Sequence, residues 1–426
     1  MNYALRITNY ELKNINIDIP RPVREILDTL HGAGFEACIV GGCVRDVILG
    51  RRPEDWDITT QALPYQVKSL FKSTADTGLE HGTVMVIKGG AGYEVTTFRI
   101  DGKYLDGRHP ESVEFTPSLE EDLKRRDFTI NAFAYSPDKG VTDLFDGISD
   151  LNNGLIRCVG EAERRFGEDA LRIMRAVRFS AQLSFKIEEK TAKAIEKFAP
   201  KLAQVSTERI RVEFEKTLLS DNPEYVCLYR DYGLAPYIFP DVYEKCFGDD
   251  EAHLLKNIKS EEKEELKYLR LAAFFDKLSG EDAGKVLKRF TYDNRTKETV
   301  SCILKFKDYF VSEDFPAVKR AMRDMGADVF AMVQKLKIAQ AKTAGKDPAH
   351  YIKLLEIMQE VIDSGEAYTV PMLAVNGADL IKAGIPQGTQ VGQTLNEILE
   401  LVTDNPGINK KEEILKILKV KSNNFY

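Results

Sequence analysis

The sequence predicts an α+β head followed by an all-α remainder. Three observations lead there. Short apolar and β-branched runs crowd the first 150 residues, strand signals almost vanish after them, and long segments of helical period take over. Ala37-Cys38-Ile39-Val40 reads as a buried strand, and residues 44–49 as a short helix. Thr83-Val84-Met85-Val86-Ile87 reads as a strand ending at Gly89-Gly90, with residues 93–98 as its hairpin partner. Residues 101–110 are polar and glycine-punctuated, which marks a mobile loop. Helical periodicity covers residues 163–182, 188–198, 207–219, 262–278, 283–290 and 396–403. No internal repeat or low-complexity linker interrupts the chain.

At 426 residues the chain exceeds one ordinary core, so roughly two to four units are expected. Hydrophobic residues make up 43% and charged residues 30%, an ordinary globular balance. No apolar run approaches the roughly 20 residues that span a bilayer. Met1-Asn2-Tyr3-Ala4-Leu5-Arg6 lacks a signal-peptide apolar region. The six cysteines form no C-x-x-C pair, which argues against a zinc site or disulfide framework. A cytoplasmic protein with no membrane partner is expected. The net charge of −7 does not suggest a nucleic-acid binder, but local patches matter more than the sum. Lys124-Arg125-Arg126, Arg164-Arg165 and a later arginine row are such patches.

The chemistry begins at Gly41-Gly42-Cys43-Val44-Arg45-Asp46, Leu49-Gly50-Arg51 and Asp55-Trp56-Asp57-Ile58-Thr59. On a strand, residues i and i+2 share a face, so Asp55 and Asp57 would project together. Carboxylates so placed can share two divalent cations roughly 3.5–4 Å apart, which clamp the attacking and leaving oxygens of an in-line phosphoryl displacement. The glycine pair between strand and helix lets backbone approach a phosphate, and the helix N-terminus offers it free N–H groups. A lone D-x-D or G-G is usually a solvated turn; their joint order favours the functional reading.

This stretch resembles the signature of the nucleotidyltransferase superfamily, and in detail the bacterial tRNA nucleotidyltransferase and poly(A) polymerase branch (class II). The resemblance is close over most of the first 220 residues and looser beyond. It implies a polymerase beta-like head and a bound nucleotide near Gly42 and Arg45. It also implies a head over residues 1–150, a neck over 151–220, a helical body over 221–340 and a tRNA-binding tail over 341–426.

Arg125-Arg126-Asp127-Phe128-Thr129-Ile130-Asn131-Ala132 could be a helix-start ion pair worth little. Within the family the matching run is the ribose-recognition motif, with Arg126 a nucleotide contact and Asp127 beside it. Asp169, Arg172, Arg175 and Arg178 recur every third residue of the predicted 163–182 helix, so they form one stripe. Leu171, Ile173, Met174, Val177 and Phe179 supply the buried face. A stripe with three guanidiniums calls for an anion. Cytosine and adenine both present an amino donor beside a ring acceptor, which a carboxylate beside a guanidinium complements. Guanine and uracil present the reverse and would leave a buried group unpaired, at a cost of about 1–3 kcal/mol. Asp169 with Arg172 could thus select C and A, and the resemblance implies the same for these positions.

The resemblance implies attack of an RNA 3′-hydroxyl on the α-phosphorus of CTP or ATP, with two Mg²⁺ on Asp55 and Asp57. Glu94, on the neighbouring strand, is the candidate third carboxylate. The polar loop extends to Glu114 and includes Asp106-Gly107-Arg108-His109-Pro110, resembling the intact loop of CCA-adding enzymes, so the expected partner is the tRNA 3′ end. The chain closes Lys419-Val420-Lys421-Ser422-Asn423-Asn424-Phe425-Tyr426, only mildly basic, which disfavours a poly(A) polymerase. A-only addition, a poly(A) polymerase and a catalytically inactive RNA-binding protein remain the alternatives. Residues 270–277 resemble the helix bearing the His-Asp metal pair of HD-type phosphohydrolases, but Phe275 stands where histidine would be. Val375-Asn376-Gly377-Ala378-Asp379-Leu380 and the glycines Gly388 and Gly392 resemble the tail of CCA enzymes, the glycines expected to precede a helix.

Overall fold

Buried β-branched runs and amphipathic helices divide the chain into two compact units, Met1–Tyr243 and Glu244–Tyr426. The structure, a computed structural model, describes residues 17–102 and 113–423. The Met1–Arg6 segment, the middle of the expected loop and the last three residues lie outside it, as do the side chains from Lys419 onward.

The first unit is built on a seven-stranded mixed sheet. Its strands are β1 (Ala37–Val40), β2 (Ile58–Thr60), β3 (Thr74–Gly78), β4 (Thr83–Lys88), β5 (Ala91–Thr97), β8 (Phe133–Ser136) and β9 (Gly140–Asp143). Between them in the chain, β6 (Arg99–Asp101) and β7 (Val113–Phe115) pair separately at the base of the expected loop. The sheet order is β3-β4-β5-β2-β1-β8-β9. Every neighbouring pair is antiparallel except β2 and β5. The β4–β5 hairpin turns at Gly89 and Gly90, both at positive φ, where a side chain would be strained. β1 is buried at all four positions, as its unbroken apolar run requires.

Four helices serve the sheet directly: α1 (Arg21–Gly32), α2 (Gly42–Ile48), α3 (Pro64–Leu70) and α4 (Leu119–Lys124). Leu123 of α4 packs with Cys38, Val40 and Ala134, which fixes that short helix over β1 and β8. Then follow α5 (Gly147–Asn153), α6 (Ala162–Glu168), α7 (Leu171–Leu183), α8 (Glu189–Phe198) and α9 (Thr207–Leu218). The helix expected over residues 163–182 is therefore two helices. The break lies at Asp169, whose backbone is extended (φ −140°, ψ 107°). Its side chain accepts from the Leu171 N–H at 3.0 Å. An aspartate carboxylate competes with the backbone ladder in this way and ends one helix while starting the next.

The second unit is helical. It comprises α10 (Asp249–Asn257), α11 (Lys263–Phe274), α12 (Gly280–Arg289), α13 (Asn294–Phe306), α14 (Phe315–Met325), α15 (Ala327–Thr343), α16 (Ala349–Ser364), α17 (Gly377–Lys382), α18 (Thr389–Asp404) and α19 (Lys411–Asn423). Phe275 caps α11, is 1% exposed and packs edge-on against Phe274. The adjoining Asp276 accepts from Gln340 Nε2 at 2.8 Å and faces Lys307 at 3.7 Å. A distinct apolar core joins Leu373, Leu380, Leu399, Val402 and Ile414. Asn376 and Asp379 form a reciprocal cap on α17. Gly388 precedes α18 at φ 130°, but Gly392 lies inside that helix, contrary to the expectation. No helix among the described residues is long and apolar enough to cross a membrane.

Phe128 is fully buried and meets Phe179 of α7 edge-on, with ring centroids 5.8 Å apart. Truncating it removes packing on both sides. Phe128→Ala should destabilise the first unit by about 3–5 kcal/mol, read as a lower urea midpoint at unchanged slope.

Candidate active site

The glycine turn is built at the end of β1. Gly41 has φ 80°, and its N–H donates to Phe133 O at 3.0 Å. The positive φ favours glycine, and a Cβ there would stand 2.9 Å from Arg126 Nη1 and displace that guanidinium. The half-buried Gly42 opens α2. Val40 N–H donates to Asp57 O at 3.0 Å, which extends the β1–β2 pairing by one step. Asp55 and Asp57 were expected on the strand. They lie in the extended arm just before β2, and both are exposed.

The parallel β2–β5 register pairs Ile58 with Val95. One step back along it stand Asp57 and Glu94. The Glu94 carboxyl feels the Asp57 charge. Crowding by neighbouring atoms pushes the Glu94 carboxyl up, and the Asp57 and Asp55 charges add to the push. Crowding likewise raises Asp57 although it keeps solvent access; Arg126 opposes the rise and Asp55 adds to it. Three oxygen-donor side chains thus repel one another at one end of the sheet, the donor chemistry that suits a hard cation. Among the described residues no three His, Cys, Asp or Glu side chains close around an ion by themselves. The aspartates therefore fit an open site completed by other ligands.

Arg126 faces this cluster. Its Nη2 is 3.6 Å from Asp122 Oδ2, and its Nε has no hydrogen-bond partner among the described residues. Asp127, its neighbour in sequence, turns elsewhere. Asp127 Oδ1 accepts from Phe128 N–H (2.9 Å) and Asn131 Nδ2 (3.2 Å), and Oδ2 from Arg175 Nε (2.7 Å). Neighbours in sequence, Arg126 and Asp127 thus engage different partners in this structure. Burial alone would raise the Asp127 carboxyl, but Arg175, Arg172 and Asn131 outweigh it and hold it at about 2.

The arginine row is also re-sorted. Arg172 pairs with Glu168 at 2.7 Å and donates to the carbonyls of Arg165 and Arg125. Arg175 pairs with Asp127 at 2.6 Å, and Arg178 Nε lies 2.6 Å from Glu213 Oε2. Asp169, off the helix, pairs with Arg209 at 2.7 Å rather than with Arg172. The anions that the stripe calls for come in this structure from the protein itself. Arg45 completes the network: its Nη1 donates to Asn131 Oδ1 at 2.5 Å and its Nη2 lies 2.8 Å from Asp46. Arg45, Arg175 and Arg178 surround the Phe179 ring at 5.2, 5.3 and 4.1 Å. Arg165 is 5% exposed and pairs with Glu168, so Arg164-Arg165 is no open basic patch. The sequence motifs did not single out Asp122, Arg209 and Glu213, and Glu168, next to Asp169 in the same motif, carried no assigned role. Only the excess of arginines over carboxylates on the stripe hinted at them.

Asp127 supplies a pH test. Its folded value lies below the ordinary carboxylate range, so its stabilisation is present above about pH 4 and is lost as pH falls towards 2. Urea unfolding of the protein should lose about 2 kcal/mol across that window. Asp127→Asn should be weaker at pH 7 and show a flatter acid limb.

Residues 37–157 match the family model "Poly A polymerase head domain". Residues 184–246 match "Probable RNA and SrmB- binding site of polymerase A", and 260–418 match a model of tRNA nucleotidyltransferase domain 2. The CCA-adding enzyme of Pediococcus pentosaceus is 40% identical over 93% of this chain and 96% of that protein. The crystal structure of the Bacillus stearothermophilus CCA-adding enzyme in complex with CTP superposes with a TM-score of 0.80 at 33% identity, over 95% of this chain and 99% of that one. A tRNA nucleotidyltransferase complexed with a primer tRNA and an incoming ATP analog matches at TM-score 0.63 and 25% identity, over 79% of this chain and 99% of that one. With a mixed-sheet head, helical remainder and likeness along nearly its whole length, this chain belongs to the CCA-adding enzymes, a nucleotidyltransferase family.

Proposed function

We propose that this protein adds C, C and A to the 3′ end of tRNA from CTP and ATP, without a nucleic-acid template and with release of pyrophosphate. One observation carries the catalytic reading: the glycine turn, Arg126, Asp55, Asp57 and Glu94 gather at one end of the sheet. Likeness over most of the chain to CCA-adding enzymes favours this reading over A-only addition, poly(A) synthesis or an inactive RNA-binding protein. The Phe275 ring cannot ligate a metal, which weighs against phosphohydrolase chemistry in the helical unit.

Asp55 and Asp57 are assigned to two Mg²⁺, which keep several waters and accept substrate phosphates as ligands. Bound there, such ions would neutralise charge on the transferring phosphoryl group and activate the attacking hydroxyl. The protein's own groups position the reactants. Gly41 and Gly42 let backbone approach the triphosphate, and Arg126, whose Nη1 lies by the Gly41 turn, is assigned as its guanidinium partner. Glu94 is assigned to accept the 3′-hydroxyl proton, its raised carboxyl suiting that task. Asp169 and Arg172 are assigned to the base edge, with Arg175 and Arg178 steadying the nucleotide and Arg45 and Asp127 holding the pocket's frame. To serve a base, Asp169 exchanges its Arg209 partner for the amino group of cytosine or adenine.

Residues 1–150 are assigned as catalytic head, 151–220 as neck, 221–340 as body and 341–426 as tRNA-binding tail; the head model over 37–157 and the separate apolar core around Leu399 support the head and tail, whereas the models over 184–246 and 260–418 run across the boundaries at 220 and 340. A cytosolic setting accords with six free cysteines.

Purified protein with Mg²⁺ and a labelled tRNA lacking CCA should add three residues only when CTP and ATP are both present. Asp55→Ala should add none. Addition of A only to a tRNA ending in CC, or of long A tails, would replace this assignment. Glu94→Gln should lower kcat by about 10²–10⁴-fold with the nucleotide KM little changed.

A further inference from the structure

Asp122 is outside every motif used so far, yet it lies under the site. Its carboxylate is fully buried on α4. Oδ1 accepts from Arg125 Nε (3.0 Å) and Nη2 (2.8 Å), and weakly from the Arg99 N–H (3.4 Å). Oδ2 is left to two partners at longer range: Thr59 Oγ1 at 3.4 Å and Arg126 Nη2 at 3.6 Å. Burial alone would raise this carboxyl; Arg125 and Arg126 outweigh it and hold it below the ordinary range. So Asp122 is a charged acceptor, saturated on one oxygen by Arg125 and only loosely engaged on the other.

Arg126 therefore sits between two negative poles. On one side is the buried Asp122. On the other are Asp57, which feels its charge, and the glycine turn, where a Cβ at Gly41 would stand 2.9 Å from its Nη1. A direct 2.8 Å pair with Asp122 would commit the guanidinium. A separation of 3.6 Å orients it without using up its donors, and Nε remains unpartnered in the interior. Thr59 of β2, two residues beyond Asp57, lies 3.4 Å from the same oxygen, but its single hydroxyl proton has the shorter bond to Thr96 O at 3.1 Å.

We propose that Asp122 is a positioning residue for the incoming nucleotide: it acts through Arg126, holding that guanidinium against the Gly41 turn with donors free for the triphosphate or ribose. This rests on the nucleotidyl-transfer reading above. Asp122 touches no reactant. Its effect is to settle Arg126 in advance, so that the nucleotide does not bear the ordering cost. Asp122→Asn keeps the shape and removes the charge that fixes Arg126.

The test uses the full-length protein and four forms: wild type, Asp122→Asn, Arg126→Ala and the double variant. Asp122→Asn should raise the KM for CTP and the Kd for CTP in equilibrium titration by about tenfold, with kcat and the KM for tRNA within about twofold. In the Arg126→Ala background the same change should add little, the non-additivity expected when one residue acts through the other. Asp122→Glu, which keeps the charge but moves it, should lie between, and it replaces Asp122→Asn if that variant does not fold. Additive losses, or a tRNA KM that rises in step with the CTP KM, would show a merely structural residue and overturn the proposal. If the wild type incorporates no nucleotide, the transfer reading fails by itself. The CTP titration across the same four forms then still decides whether Asp122 works through Arg126.

Discussion

A charge taken out of water must find its opposite inside the protein, and that constraint organises the first unit. Asp127 is 7% exposed, and three donors converge on it from its own segment and from α7. Around it runs an unbroken polar chain: Asp46 to Arg45, Arg45 to Asn131, Asn131 to Asp127, Asp127 to Arg175. Arg175 then approaches Glu213 at 4.0 Å, and Glu213 holds Arg178. Breaking one link strands a buried charge, which costs far more than the net worth of an intact pair. The glycine turn of α2 and the arginine face of α7 are thereby held in one frame, although they are far apart in sequence.

The same constraint separates two kinds of arginine. Arg172, Arg175 and Arg178 have close internal carboxylates, so in this structure they act first as struts. Arg126 is different, because its nearest described carboxylate stands 3.6 Å away and its Nε has no partner among the described residues. An unspent, buried donor beside an exposed acidic cluster is the feature that an anionic substrate can satisfy. Neutral packing could not produce that asymmetry. It requires Arg125 to occupy Asp122 first.

In the second unit, burial has replaced chemistry at the position that resembles a metal-bearing helix. Phe275 is packed among aromatic rings, and Asp276 is occupied by Gln340 and Lys307. A phenyl ring adds apolar contact where an imidazole would have added a ligand, and an ammonium now balances the adjoining carboxylate. The helix persists because its packing face needs only hydrophobic residues of the right period.

Elements with local causes were legible in the sequence. The β4–β5 hairpin follows from two alternating runs about a glycine pair, β1 from an unbroken apolar run, and α8, α9, α11 and α12 from their period, whereas α13 to α16 lie outside the segments that period marked. The turn at Gly41 and the aspartates beyond it could also be located, since both depend on residue type at short spacing. Tertiary structure alone decided which carboxylate each arginine takes. Asp127 and Arg175 are 48 residues apart, and Asp169 and Arg209 are 40 apart. Periodicity placed Asp169 on a continuous helix beside Arg172. The structure takes it off the helix, because its side chain could satisfy the Leu171 N–H and a distant guanidinium together. Local pattern fixes which face a residue occupies. Coulomb's law acts through space, so the choice of partner waits until the chain has folded.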